Sequence, residues 1–228
     1  MELSVVIPVY NDKPTVKEII RRVKQAEPYD KEIIVVDDGS TDGSADILKD
    51  IGEEGIKVIF HEKNIGKGGA VKTGFSQAKG DIAVIQDSDL EYDPREISML
   101  IRPIKDGTAD AVFGTRLTGG KPQRVHMFWH KVGNTFITLI ANILYNATLT
   151  DITTGYKAFK RDFIKDIKIK SNGFAIESEL TAKILKRKAR LYEMPISYYG
   201  RSYKEGKKIR FYHAFEIIWA LFRFRFTN

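Results

Sequence analysis

Residues 3–10 read Leu3-Ser4-Val5-Val6-Ile7-Pro8-Val9-Tyr10, and four further apolar runs follow at residues 32–36, 56–60, 82–85 and 109–113. Their near-continuous Val/Ile content suits strands covered on both faces. Helical patterns fall between them, at roughly residues 15–25, 45–51, 70–78 and 95–104. Alternation at this spacing predicts βαβ units, and so an α/β fold with a Rossmann-like, mostly parallel central sheet flanked by helices. The 228 residues suffice for one large domain or two small ones. No internal repeat is present, and Gly119-Gly120-Lys121-Pro122 is the expected hinge or loop.

Composition narrows the chemistry. Hydrophobic residues at 43% and charged residues at 29% exclude wholesale disorder. The chain has no cysteine, which excludes disulfides, zinc–thiolate sites and thiol nucleophiles. The N-terminus, Met1-Glu2-Leu3-Ser4, lacks a basic leader and reads as the approach to a first strand rather than as a signal peptide. The net charge of +7 is unevenly spread: residues 186–228 hold eleven Lys/Arg against three Glu. Such a basic tail suits nucleic acid, an anionic membrane or an anionic substrate, or is simply solvated.

The second half carries two amphipathic stretches. Residues 132–150 hold no charge, yet Asn134, Thr135, Thr138, Asn142 and Asn146 fall within about 120° of a helical wheel. Phe136, Ile140, Ile143 and Leu144 lie on the other side. This pattern argues against a membrane span and for a helix buried on protein or lying in an interface. Phe211, Phe215, Ile218, Trp219, Phe222 and Phe226 also follow helical spacing, close to Lys204, Lys207, Lys208 and Arg210. An aromatic stripe usually means core packing; beside cations it also suits a membrane interface.

Carboxylates cluster where strands should end. Asp37 and Asp38 follow the second run, and Asp87 and Asp89 follow the fourth. In open parallel sheets ligands bind outside those strand ends. Two acids at i and i+2 can approach one hard divalent cation, with Mg²⁺ or Mn²⁺ on a diphosphate as the natural partner. The bland reading of Asp87-Ser88-Asp89 is a turn or a cap ahead of Pro94. Asn64-Ile65-Gly66-Lys67-Gly68-Gly69 precedes a helical pattern and can offer amides to phosphate, although it is neither a P-loop nor a dinucleotide fingerprint. Pro8 removes a donor, and Tyr10 offers a ring on which a base can stack.

In this order Val6–Asn11, Val35–Asp42, Asn64–Gly68 and Asp87-Ser88-Asp89 resemble the family 2 glycosyltransferases of the GT-A fold. Gly114-Thr115-Arg116 and Asp151-Ile152-Thr153-Thr154-Gly155-Tyr156-Lys157 are similar to the branch that makes dolichol-phosphate mannose and polyprenyl-phosphate glucose. The resemblance implies a transferase body over residues 1–210, with a nucleotide-binding half (1–116) and an acceptor-binding half (117–210), and an interface helix over 211–228. It implies inverting transfer of a hexose from GDP-mannose or UDP-glucose to a polyprenyl phosphate. The alternative is transfer to a saccharide hydroxyl.

Residue by residue, the resemblance assigns Pro8, Tyr10, Asp12, Val36, Asp38, Gly66, Lys67, Asp87 and Ser88 to the nucleotide. Asp12 stands where the family usually has Glu. Asp87, Asp89 and Glu91 are the implied metal ligands, with Mg²⁺ or Mn²⁺ as cofactor. Arg116, Arg201, Lys207 and Lys208 are the implied phosphate ligands on the acceptor side, and Asp89 and Asp151 the catalytic candidates. The implied place is the cytoplasmic face of a membrane, held peripherally on an anionic surface, with an oligomer left open. A phosphate acceptor with a second pKa of about 6 is mostly a dianion at pH 7 and needs positioning more than a base. Asp151 is therefore expected to orient rather than to abstract. Two rivals are disfavoured. A nucleic-acid-binding module would be repelled by the acids, and a nicotinamide oxidoreductase would need Gly-x-Gly-x-x-Gly after the first strand.

Overall fold

The computed structural model describes residues 1–228 except Tyr29, Glu53, His126, Tyr203, Lys204, Ile209, Arg210, Phe211 and Asn228. The stripe position Phe211 and the flanking Lys204 and Arg210 therefore lie outside the described residues. The first half follows the expected alternation: β1 (Leu3–Val9), α1 (Val16–Gln25), β2 (Lys31–Asp37), α2 (Ser44–Lys49), β3 (Ile56–Phe60), α3 (Lys67–Gln77), β4 (Ile82–Ile85), α4 (Ile97–Lys105) and β5 (Ala111–Thr115). A 3₁₀ turn at Pro94–Glu96 leads into α4, capped by the Asp93 carboxylate on the Arg95 amide at 3.0 Å. Then come α5 (Phe128–Tyr145), β6 (Lys157–Lys160), α6 (Arg161–Lys165), α7 (Ile176–Lys186), β7 (Leu191–Pro195) and α8 (His213–Phe226).

These strands form one seven-stranded sheet in the order β3-β2-β1-β4-β6-β5-β7. Because side chains alternate along a strand, β1 serves two layers. Val5, Ile7 and Val9 face a core completed by Val16, Ile19, Ile20 and Val23 of α1 and by Ile97, Leu100 and Ile101 of α4. Val6 faces the opposite core, with Ala70, Val71 and Phe75 of α3 and Ile176, Leu180 and Ile184 of α7. Fully burying such an aliphatic side chain is worth roughly 1.5–3 kcal/mol.

All pairings are parallel except those of β6, which runs antiparallel to both β4 and β5. The inversion positions the site. Lys157 pairs with Phe113, so the loop before β6 lies beside the carboxyl ends of its neighbours. Thr115 pairs with Pro195, so the chain leaving β7 emerges at that edge too. Segments from both halves thus meet at one end of one sheet.

The two amphipathic helices pack against each other and share an apolar core. In α5 the protein-facing side mixes apolar and polar residues: Ile137 and Ala141 are buried, and so is Thr138, whose hydroxyl accepts the Ile152 amide at 3.3 Å. Asn142 exchanges hydrogen bonds with the backbone of Leu149 at 2.8 and 2.9 Å. Phe136, Leu139 and Ile143 are exposed. The helix stops at Asn146, whose left-handed φ of 52° ends it short of the expected Thr150. In α8, Ile217, Ala220, Leu221 and Phe224 are buried, while Phe215, Trp219, Phe222 and Phe226 of the aromatic stripe are exposed. No helix among the described residues is long and apolar enough to cross a membrane.

Candidate active site

The sheet edge opens into a cavity of about 980 Å³, large enough for a nucleotide sugar. Pro8, Tyr10, Asp12, Asp38, Gly66, Lys67, Asp87, Ser88, Asp89, Glu91, Arg116, Arg201, Lys207 and Lys208 all line it. Two expected residues do not. Val36 is fully buried in the α3-side core, and Asp151 is fully buried behind Arg116.

Asp38, just past β2, accepts the Ile65 and Gly66 amides at 3.0 and 2.7 Å and meets His61 Nδ1 at 2.8 Å. It therefore moors the glycine turn to the sheet. The Gly69 amide donates to the Asn172 carbonyl at 3.2 Å. A Cβ on Gly66 would lie 2.4 Å from that carbonyl oxygen, and one on Gly68 would lie 2.2 Å from the Ser171 oxygen. Close backbone approach explains these glycines, and three amides expected to cradle phosphate are already used within the protein. Asp12 accepts the Ser88 hydroxyl at 2.7 Å and pairs with Lys208 at 2.8 Å, which brings the chain after β7 onto the loop after β1.

The three expected metal ligands are not equivalent. Asp87 Oδ1 pairs with Lys67 at 2.7 Å, and Asp89 Oδ2 pairs with Arg201 at 2.8 Å. Glu91 turns aside: Tyr198 donates its hydroxyl to it at 2.9 Å, and the Arg201 amide donates to it at 2.7 Å. No three carboxylate or imidazole groups among the described residues converge on one point as they stand, because Asp87, Asp89 and Glu91 each turn to a partner within the protein. The local charge nonetheless suits a cation. Burial, with Glu91 and Asp87 close by, pushes Asp89 up to about 7 despite Arg201. Beside Asp87, residue 155 is glycine, and a Cβ there would sit 2.3 Å from Asp87 Oδ2. Asp87 and Asp89 thus fit a divalent ion that takes its other ligands from phosphate and water, as Mg²⁺ commonly does.

Arg116 lines the same cavity, held by Asp151 through Nε at 2.6 Å and Nη2 at 2.8 Å, with its amide on the same carboxylate at 3.2 Å. The Thr153 hydroxyl donates to Asp151 Oδ1 at 3.0 Å. Burial opposes ionisation of Asp151, but the guanidinium outweighs it and holds the carboxyl below its ordinary range. Glu193 of β7 accepts the Thr150 and Asp151 amides, which fixes the loop from behind. The guanidinium lies 5.0 Å from the Tyr198 ring centroid.

Sequence reasoning missed several participants. His61 supports Asp38, and Glu177 with the buried Lys157 supports Lys67. Arg124, Phe128, His130, Lys131 and Asn134 also line the cavity. The cations of residues 121–131, directly ahead of the uncharged stretch, were the available signal for them.

Fold and cavity together define a glycosyltransferase of the GT-A fold. The chain belongs to glycosyl transferase family 2, whose model matches residues 4–168. Over 211 residues it is 29% identical to a dolichol-phosphate mannosyltransferase of Pyrococcus furiosus, covering 91% of this chain but only 59% of that relative's length. It is also 29% identical, over 238 residues, to a UDP-N-acetylglucosamine–dolichyl-phosphate N-acetylglucosaminyltransferase of Methanococcus voltae, covering 96% of this chain and 94% of that one. Its fold matches glucosyl-3-phosphoglycerate synthase from Mycobacterium tuberculosis with a TM-score of 0.75 at 20% identity, over 100% of this chain and 79% of that one.

Proposed function

We propose that this chain transfers a hexosyl unit, with inversion, from a nucleotide sugar to a polyprenyl phosphate. One observation carries the reading: every carboxylate that lines the cavity is already engaged. Asp12 is held by Lys208 and Ser88, Asp38 by His61 and two amides, Asp87 by Lys67, Asp89 by Arg201, Glu91 by Tyr198 and Arg201, and Glu177 by Lys67 and Lys157. A sugar hydroxyl needs a base to take its proton. A phosphate dianion does not, and it suits a rim of Arg116, Arg201, Lys207 and Lys208. The dolichyl-phosphate names of the two relatives support this acceptor class.

In this reading the nucleoside lies over Tyr10 and the diphosphate lies toward Asp87 and Asp89. Those two residues would hold Mg²⁺ or Mn²⁺, which supplies neutralisation of the leaving diphosphate when bound. The structural neighbour is in complex with Mn²⁺ and UDP, which supports a divalent ion accompanying the donor. Arg116 and Arg201 grip the acceptor phosphate so that one of its oxygens faces C1 of the sugar. The C1–O bond to the diphosphate breaks as the C1–O bond to the acceptor phosphate forms, and no proton is removed. With UDP-glucose or GDP-mannose and a short polyprenyl phosphate, release of UDP or GDP is expected to depend on the lipid phosphate and to stop in EDTA. Efficient transfer to a sugar hydroxyl with no use of the lipid phosphate would overturn the reading.

Docking on an anionic membrane fits the same acceptor. Phe215, Trp219 and Phe226 on α8, and Phe136 and Ile143 on α5, are exposed apolar groups on helices whose opposite faces are buried. In vesicle flotation the chain is expected to bind more as anionic lipid increases and less in high salt. Replacing Phe215, Trp219 and Phe226 by serine should lower the bound fraction several-fold. These side chains lie outside the core, so the circular dichroism spectrum should hold. Undiminished binding by that variant would refute the surface.

A further inference from the structure

Four charges form a chain leading inward from the cavity: Asp87, Lys67 and Glu177 line it, and Lys157 lies buried behind them. Lys67 Nζ stands between two carboxylates, 2.7 Å from Asp87 and 3.0 Å from Glu177. Glu177, in the first turn of α7, is buried and meets Lys157 on its other oxygen at 2.6 Å. Lys157 is fully buried and also donates to the carbonyls of Ile152 and Thr154. The formal charges of Lys67, Lys157, Glu177 and Asp87 sum to zero. Glu177 Oε1 accepts no hydrogen bond, so its tie to Lys67 is a contact of charge.

We propose that Glu177 is a positioning residue for the metal end of the site, acting through Lys67. By sharing Lys67 it weakens that lysine's hold on Asp87 and keeps the four-group cluster neutral, so Asp87 can accept a divalent cation. Without the Glu177 charge, Lys67 falls wholly to Asp87 and the cluster carries +1 beside the incoming ion. Partners of this kind, one step removed from the ion, typically change metal affinity by about 10- to 100-fold. The inference rests on the proposed use of Asp87 and Asp89 for a divalent ion. It does not depend on which sugar or acceptor is used.

The test is Mn²⁺ binding to the whole chain without nucleotide or lipid, read from the electron paramagnetic resonance signal of free Mn²⁺. Glu177→Gln is expected to weaken binding by about 10-fold or more. Lys67→Met, which leaves the cluster at −1, is expected to strengthen binding. The double variant, neutral again, should return to within a few-fold of wild type, and Glu177→Asp should lie between wild type and Glu177→Gln. A packing role for Glu177 cannot produce these opposite signs or the compensation. Should Glu177→Gln lose its circular dichroism spectrum, Lys67→Met still decides the matter, since that side chain is partly exposed. Wild-type binding that neither variant moves, or that both weaken, overturns the inference and leaves the transferase reading standing. Wild-type chain that binds no Mn²⁺ overturns the inference together with the metal placement, and the nucleotide-release assay judges the transferase reading separately.

Discussion

Asp89→Ala is expected to lower turnover by about 10³-fold while leaving the fold intact. The loss follows from the position of Asp89 past the end of β4, where it faces the proposed diphosphate end of the cavity. Removing one preorganised group that stabilises a leaving group's charge commonly costs 10²–10³ in rate, and here an ion would leave with it. The fold should survive because the ionised carboxylate is a liability in the free chain. Asp89 is crowded by Glu91 and Asp87 and partly buried, and its carboxyl sits well above the unfolded value. The sign follows from that elevation. A carboxyl raised in the folded state favours folding only at low pH, and that benefit is lost as pH rises toward about 7. Its removal should therefore leave the thermal midpoint at pH 8 unchanged or higher. Mn²⁺ should raise the wild-type midpoint and not that of the variant. Full turnover by Asp89→Ala would remove the residue from the chemistry, and an unfolded variant would assign it a structural role instead.

How much of this was legible in the sequence depended on whether local pattern or tertiary context set each residue. The strands of the first half carry mostly apolar runs, rich in Val and Ile in β1, β2 and β4, so β1 to β5 were readable to within two residues at each end. The strand β6 was not. Lys157-Ala158-Phe159-Lys160 has a lysine at each end, and Lys157 is buried only because Glu177 and two carbonyls receive its ammonium. Nothing within four residues announces that partner, which lies twenty positions on. The helix α5 was readable as amphipathic, but period alone cannot say which side is wet. Thr138 and Asn142 turn inward, where the strand-connecting loop at 149–152 takes their hydrogen bonds, while Thr135 on the same polar side is exposed. The acids after β2 and β4 were found because parallel sheets place ligands there. Their division of labour was hidden. Asp38 moors a turn and Glu91 holds Tyr198, and these roles depend on His61, Ile65, Gly66 and the 198–201 segment arriving from elsewhere.

The Asp151–Arg116 pair should respond most strongly to substitution in stability. Asp151 has no exposed surface, and its two oxygens take four donors: Arg116 Nε, Nη2 and amide, and the Thr153 hydroxyl. A carboxylate so enclosed has no free lone pair aimed at an acceptor. Its work is to fix a planar guanidinium that a lysine could not replace. Asp151→Asn keeps the shape but points an amide at the guanidinium and leaves that cation without a counter-charge. Breaking a buried ion pair from one side typically costs 3–5 kcal/mol, so a stability loss of about 3 kcal/mol is expected in denaturant titration. Transfer should fall by about 100-fold through misplaced Arg116, with the shape of its pH profile unchanged, because no base has been removed. The double variant Arg116→Met/Asp151→Leu separates the two effects. Apolar replacements of similar volume often match or exceed a buried pair in stability, so this variant should recover the fold while remaining as inactive as Arg116→Met alone. Nucleotide affinity should survive in all of them, since the proposed donor end is lined by Tyr10, Asp38 and Lys67. An Asp151→Asn variant that keeps full stability and loses only the acidic limb of its pH profile would restore Asp151 as a general base and return the acceptor to a hydroxyl.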